Sequence, residues 1–531
     1  MSESVRSNSV RKSLFRRMLS WRGLLFGIVC LITLIALIYA EEDFRAKLAW
    51  NNFKREWEAK GEKFDLASFI PPPVPDDQNF AMTPLFLPAF QYQPGTNGVR
   101  WLDTNSLARL QRLNIYRSDV RQDENTPAFG SLDQNHLNDL ASWQKYYQGS
   151  TNFPQPNKAG DPGADVLVAL GKFDAEMTEV RAAAAARPYS RFPIHYEQSP
   201  AFSILLPHLA QMKGLSQLFG LHAMAQMELK HGDEALNDLQ VAFRLSDSIR
   251  DEPFLIDHLV RLGSLTIDLT VLREGLARHI WKDAQLAQLQ KYLASLDLIA
   301  EAKTNLRGER SLNLSGIEYY HHLGFGAKPA ELMFADSNGG AQSPPAYVNT
   351  ISVLPGGLFY QNMLAIARMH QEHTIAALDE QQHRIYPEIS DGLAAAVKNM
   401  SFTPYNIFAK LLMPAFANSG RKSARCQTYV DAGQIACALE RYRLAQGHLP
   451  DVLAALVPQF IEKIPTDVID GKPLHYKKIS DASYELYSIG WNQVDDGGIA
   501  AFAKGKSNGR DKEKVASDEK AGDWVWLLPA K

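Results

Sequence analysis

Residues Leu24 to Ala40, LLFGIVCLITLIALIYA, carry no charge and no proline. As a helix rising about 1.5 Å per residue, the run from Trp21 to Ala40 spans about 30 Å, the thickness of a bilayer's hydrocarbon core. No other stretch combines that length and apolarity, so the sequence predicts one crossing. Arg6, Arg11, Lys12, Arg16, Arg17 and Arg22 precede the run against a single Glu3, and Glu41, Glu42 and Asp43 follow it. Positive flanks stay in the cytoplasm, which places the N-terminus inside and the rest of the chain outside. Ile38-Tyr39-Ala40 is a poor signal-peptidase site because Ile38 is not small, which favours an uncleaved anchor. Cys30 reads as a small apolar residue in lipid.

The 531 residues are too many for one core, and two or three domains are expected. A net charge of −3 gives no reason to expect a nucleic-acid partner, since phosphate binding needs a basic surface. Cys426 and Cys437, on one helix, would lie about 16 Å apart, beyond disulfide reach. Both read as buried small side chains, and no metal-type cysteine spacing occurs.

Ala46, Trp50, Phe53 and Trp57 recur at one helical face, so the anchor helix should continue outward. The two tryptophans would rest among lipid headgroups or pack on the domain above. Gly61 ends this helix, and Pro71-Pro72-Pro73-Val74-Pro75 forms a stiff extended spacer. From Trp101 the pattern is helical. Ser131 caps a helix to Tyr147, Asp161-Pro162 opens one closing at Arg187-Pro188, and Asp233 caps one to Arg250. Pro253 starts the next, reaching Trp281, and Asp283 caps a third. Around Gly232-Asp233 the chain resembles a tetratricopeptide helix pair, without a regular 34-residue period on both sides, which implies an irregular stack of helical hairpins. Between Phe325 and Gly357 a loop is expected, followed by a helix over 358–385 ending before Pro387.

The C-terminal part has its own grammar. A helix carrying Ala436, Leu439, Tyr442 and Arg443 stops at Gly447. Strands are predicted from Gly471-Lys472-Pro473-Leu474-His475-Tyr476, from Tyr484 to Gly490, and at Trp524–Leu528. A helix on a small antiparallel sheet is the economical packing. The order of these pieces, with Leu449-Pro450, Pro465-Thr466-Asp467 and the acidic loop Asp495-Asp496-Gly497-Gly498, resembles the globular domain of the major pseudopilins of type II secretion. In that family the membrane helix opens this same unit, whereas here hundreds of residues intervene. The resemblance therefore implies a fold module rather than filament assembly. Taken whole, the chain resembles uncharacterised bacterial single-pass membrane proteins, through Arg187–Pro193, Glu252-Pro253-Phe254-Leu255-Ile256, Leu439–Arg443 and Asp495–Gly498. This implies a bacterial inner-membrane setting with the bulk periplasmic.

The expected architecture is mostly α with a small C-terminal α+β domain and one N-terminal transmembrane helix. Its parts are a basic cytoplasmic tail (1–22), the transmembrane helix (23–40), a juxtamembrane helix and Pro-rich linker (41–100), a helical-hairpin domain (101–420) and the pseudopilin-like helix with three strands (421–531). The pseudopilin resemblance implies calcium at Asp495 and Asp496, with Asp523 joining if the third strand pairs beside them. Calcium wants six to eight oxygens, and adjacent aspartates with glycines also make a common turn. Glu228/His231, Glu318/His321 and Glu380/His383 have the Glu-x-x-His spacing of di-iron bundles, and equally that of exposed helical neighbours. His370, Glu372 and His373 read as a solvated face. No triad signature, phosphate loop or dinucleotide fingerprint is present. A scaffolding or partner-binding envelope protein, not an enzyme and without a resident cofactor, is the expected function. Its partners are the lipid bilayer and an envelope protein. A secretion-machine component and a metal-dependent enzyme are the alternatives.

Overall fold

The computed structural model describes residues 21–95, 98–118, 126–130, 132, 137–323, 355–504 and 515–528. The predicted Ser131 cap and the loop after Phe325 fall largely outside them. Among the described residues the molecule is mostly α with a small α+β region. Helix α1 (Trp21–Glu58) runs unbroken for 38 residues and is long and apolar enough to cross a membrane. The periodic face is confirmed: Ala46, Trp50 and Phe53 are buried, and Trp50 packs edge-on against Phe64 at 5.8 Å. Trp50 therefore serves the domain, not the headgroups. Gly61, at φ 90°, turns the chain back as expected of a left-handed helix stop.

The helical body then unfolds in order: α2 (Thr104–Gln111), α3 (Leu140–Tyr147), α4 (Pro162–Leu170), α5 (Asp174–Ala186), α6 (Leu209–Glu228), α7 (Gly232–Asp247), α8 (Leu255–Ala277), α9 (Asp283–Leu293) and α10 (Leu298–Leu323). Asp161 caps α4 as predicted, accepting from the Gly163 and Ala164 amides. A 3-10 turn at Gly171–Phe173 then splits the single helix predicted there into α4 and α5. Asp139 caps α3. Asp233 and Asp283 are first-turn residues rather than caps. In that position their charge still complements the helix dipole, and Asp233 accepts from Gln285 at 2.6 Å. Helix α8 stops at Ala277, short of Trp281, where His279 takes φ 51°.

The helix predicted over 358–385 is shorter. Helix α11 (Gly357–Met369) passes into a π-helical turn at His370–Ile375 and then into a two-strand hairpin, β3 (Leu378–Asp379) and β4 (Arg384–Ile385). Asp379 causes the break: its carboxylate accepts from both the Gln381 and Gln382 amides, which fixes a turn that apolar periodicity does not report. Helices α12 (Pro387–Asn399) and α13 (Ile407–Leu412) follow.

Helix α14 (Ser419–Gln446) is buried along most of its length and borders both main apolar cores. It ends at Gly447, φ 81°, as the sequence indicated. The predicted strands appear as β5 (His475–Lys478), β6 (Tyr484–Ser488) and β9 (Trp524–Leu528), an antiparallel sheet with β6 in the middle. Tyr484, Leu486, Trp526 and Leu528 enter the same core as α6 and α8. A hairpin with no sequence forecast, β7 (Ala500–Lys504) and β8 (Val515–Gly522), links the acidic loop to β9. A short pair, β1 (Tyr92–Gly95) and β2 (Gly98–Trp101), lies before α2.

Candidate functional site

The acidic loop is held from below by Asp523. Its carboxylate accepts from the Asp496 amide at 3.2 Å and the Gly498 amide at 2.6 Å. Asp495 accepts from the Gly497 amide, and its other oxygen lies 3.8 Å from His475 Nδ1. Asp496 accepts from Asn492 at 3.0 Å. Asp495 and Asp496 are exposed. Their oxygens face backbone and side-chain donors, the arrangement of a braced turn. Burial raises the Asp523 carboxyl, partly offset by the two amides. Among the described residues no three His, Cys, Asp or Glu side chains gather as a metal would need.

The Glu-x-x-His pairs do not converge. Glu228 bonds Arg278, and His231 faces Gln226. Glu318 lies 3.9 Å from His322, while His321 packs on Phe359 and Tyr360. Glu380 pairs with Lys303 and Arg307, and His383 faces Asp297. The solvated-face reading of His370, Glu372 and His373 needs correction at His370. The π-turn carries it inward onto the Phe416 ring at 4.7 Å, fully buried, with Nδ1 3.0 Å from Thr374 Oγ1. Burial, and then the nearby Arg310 charge, lowers its pKa to about 3. Cys426 and Cys437 are buried thiols as expected, Cys426 pushed up to about 12 by burial.

Two other constellations organise the helical body. The first lies at the foot of α6. His208 Nε2 lies 2.8 and 2.9 Å from the two Glu252 carboxyl oxygens, within hydrogen-bond distance, and Phe192 stacks on the imidazole at 4.1 Å. Asp257, in the first turn of α8, accepts from the Phe254 amide at 3.1 Å. Glu309 on α10 accepts from the Leu255 amide at 3.0 Å. Burial raises Glu252 and Asp257 well above the carboxylate range; the Glu252 charge adds to this at Asp257, and a hydrogen bond with Asp257 opposes it at Glu252. Burial also takes Glu309 up to about 7 and His208 down to about 4. The cluster therefore keeps its carboxyls partly protonated and its imidazole neutral at pH 7. Two segments singled out in the sequence, Arg187–Pro193 and Glu252–Ile256, meet here. The Phe254/Asp257 spacing of a first-turn acid was the one local signal; His208 had none.

The second constellation clamps α1 to the body. Near the apolar run, Asp43 accepts from the Gly357 amide. Gly357 presses so closely that a Cβ would come 2.5 Å from the Glu42 carbonyl oxygen. At the outer end, Glu62 accepts from Arg307 at 2.9 Å and from Arg310 at 3.0 Å. Arg310 is fully buried, donates also to Gln371 Oε1 at 2.9 Å, and lies over the Phe64 ring at 4.2 Å. Helix α11 packs along α1 between these two ties, so α1 is held at both ends of its 42–58 segment.

No protein-family model matches the sequence, and no curated protein or solved structure matches the chain.

Proposed function

We propose that this chain is a single-pass envelope protein, held in a bacterial inner membrane with its N-terminus cytoplasmic and its bulk periplasmic, and that it acts as a non-enzymatic scaffold or partner-binding protein. The observation that carries this is the unbroken α1. Its apolar half is unburied, while its outer half is clamped by Asp43 at one end and by Glu62 through Arg307 and Arg310 at the other. A body tied to its anchor in this way is presented at a fixed height and posture, which serves docking better than a tether on a loose linker. The hairpin of α6 and α7, with its resemblance to a tetratricopeptide pair, offers the kind of surface such proteins use.

The test is crosslinking in cells followed by purification. The intact chain should recover a specific protein partner, and a variant with a flexible Gly-Ser insertion between Ala40 and Glu41 should recover several-fold less. Failure to recover a stable partner, or a cytoplasmic reporter signal from a fusion after Lys531, would overturn the reading.

A second reading is a component of a secretion or pilus-like machine. Helix α14 followed by β5, β6 and β9 in the predicted order favours it, as does the resemblance to pseudopilins. Deleting the gene should then reduce protein export, and an unchanged set of secreted proteins would exclude it.

A further inference from the structure

We propose that the loop Ser401–Tyr405 is a second contact with the bilayer that α1 crosses, lying in its headgroup layer through Phe402 and Tyr405. This rests on reading Trp21–Ala40 as the span. Height along α1 can be counted from Ala40. Asp43 stands three residues beyond it, about 5 Å, and holds the first residue of α11. None of residues 21–41 is buried, so α11 climbs away from the apolar run beside residues 42–53. Asn362, five residues up α11, is about 7 Å higher.

Asn362 is the bracket for the loop. Its Nδ2 donates to the Leu358 and Pro404 carbonyls, each at 2.8 Å, and its Oδ1 accepts from the Phe408 amide at 2.9 Å. Counted this way, Asn362 stands about 12 Å and Arg45 about 7 Å beyond the apolar run, which hangs the loop at the outer edge of a headgroup layer about 5–8 Å deep. Asn406 fixes its shape, accepting from the Thr403 amide and donating to the Ser401 carbonyl. Phe402 is 58% exposed and Tyr405 44%, while Phe408 turns inward onto Phe359. Tyr405 also lies within electrostatic reach of Arg45, five residues past Ala40. Arg45, within reach of Tyr405, is an exposed cation, as are Lys47 two residues along α1 and Lys398 at the end of α12 before the loop. Aromatic rings flanked by cations are the composition that membrane interfaces favour.

The full chain in nanodiscs of phosphatidylcholine and phosphatidylglycerol tests this. A nitrobenzoxadiazole label would be placed at Phe402→Cys or Tyr405→Cys in a Cys30→Ser background, with exposed Val452→Cys as the aqueous control and native Cys30 as the buried-in-lipid control. Nitroxide high on the acyl chain should quench the labels at 402 and 405 at least about two-fold more than the label at 452, with the order reversed for aqueous iodide. Labels at 402 and 405 that behave like the one at 452 would overturn the loop contact alone. A Cys30 label untouched by nitroxide deep in the chain region would sink the span and the loop contact together. Agreement between the two loop positions guards against a local disturbance at either.

Discussion

Glu62 and Glu252 are both carboxylates removed from water, and the protein handles them in opposite ways. Burial pushes Glu62 up, but the hydrogen bond from Arg307 and the charges of Arg310 and Arg307 outweigh it and hold the group below its usual range. Glu252 faces the neutral His208 imidazole and the Asp257 carboxyl, and burial takes it well above the usual range. One site balances charge with charge; the other balances it with a proton. The first kind ties α1 to the body through geometry that a fixed charge pair enforces. The second locks loops around the foot of α6 without fixed charge, so its strength should follow pH. Position in the molecule matches this division, because the ion-paired site stands where α1 turns into the body.

The largest effect that would break the comparison is at Glu62. Glu62→Gln leaves the fully buried Arg310 without its anion. The expected loss is about 3–5 kcal/mol, the usual cost of removing one partner from a buried pair, read as a fall in the denaturation midpoint. A loss under about 1 kcal/mol would mean that Gln371 and the Phe64 ring suffice to hold the guanidinium.

The next effect is a slope rather than an offset. Glu252, Asp257 and Glu309 have raised folded-state pKa values. Their contribution is complete below the unfolded carboxyl pKa of about 4 and is lost as pH rises toward the folded values. His208, lowered to about 4, works the other way, losing stability as pH falls from about 6.5 to 4. Glu252→Gln removes one proton from this balance. Stability between pH 5 and 7 should then decline less steeply, by up to about 1.4 kcal/mol per pH unit. Glu62→Gln should leave that slope unchanged, because Glu62 contributes above the unfolded pKa and loses its part only as pH falls below about 4. Parallel stability-versus-pH curves for wild type and Glu252→Gln would remove the distinction between the two sites.

These two sites also mark how far the sequence could be read. The outer half of α1 was legible because Ala46, Trp50 and Phe53 recur with helical period, and the period survives whatever packs against it. The β5–β6–β9 sheet was legible because alternation at Tyr484/Leu486 and Trp524/Trp526/Leu528 survives in the same way. The His208 cluster was not, because its members come from four segments between residues 192 and 309, and no spacing rule joins them. The β7–β8 hairpin escaped because β8, Val-Ala-Ser-Asp-Glu-Lys-Ala-Gly, has neither alternation nor β-branched bulk. His370 was misplaced for a related reason: a π-helical turn rotates the face that an α-period assigns to solvent. Asp495, Asp496 and Asp523 were found by pattern, but what their oxygens hold depended on backbone amides that no pattern reports.

Asp523 offers a third solution to a withdrawn carboxylate, and the smallest expected effect. It has two amide donors in place of a cation or a shared proton. Asp523→Asn keeps the shape and one acceptor oxygen but turns the other acceptor into a donor facing an N–H. The expected loss is about 1–2 kcal/mol, less than at Glu62 because no full charge is stranded. Calcium sharpens the point. If the amides are the intended partners, millimolar calcium should leave the melting temperature of the full chain unchanged, since an ion must bind the folded state to raise it. A calcium-dependent rise abolished by Asp523→Asn would instead show that the loop reorganises around an ion, and that the amides only stand in for it.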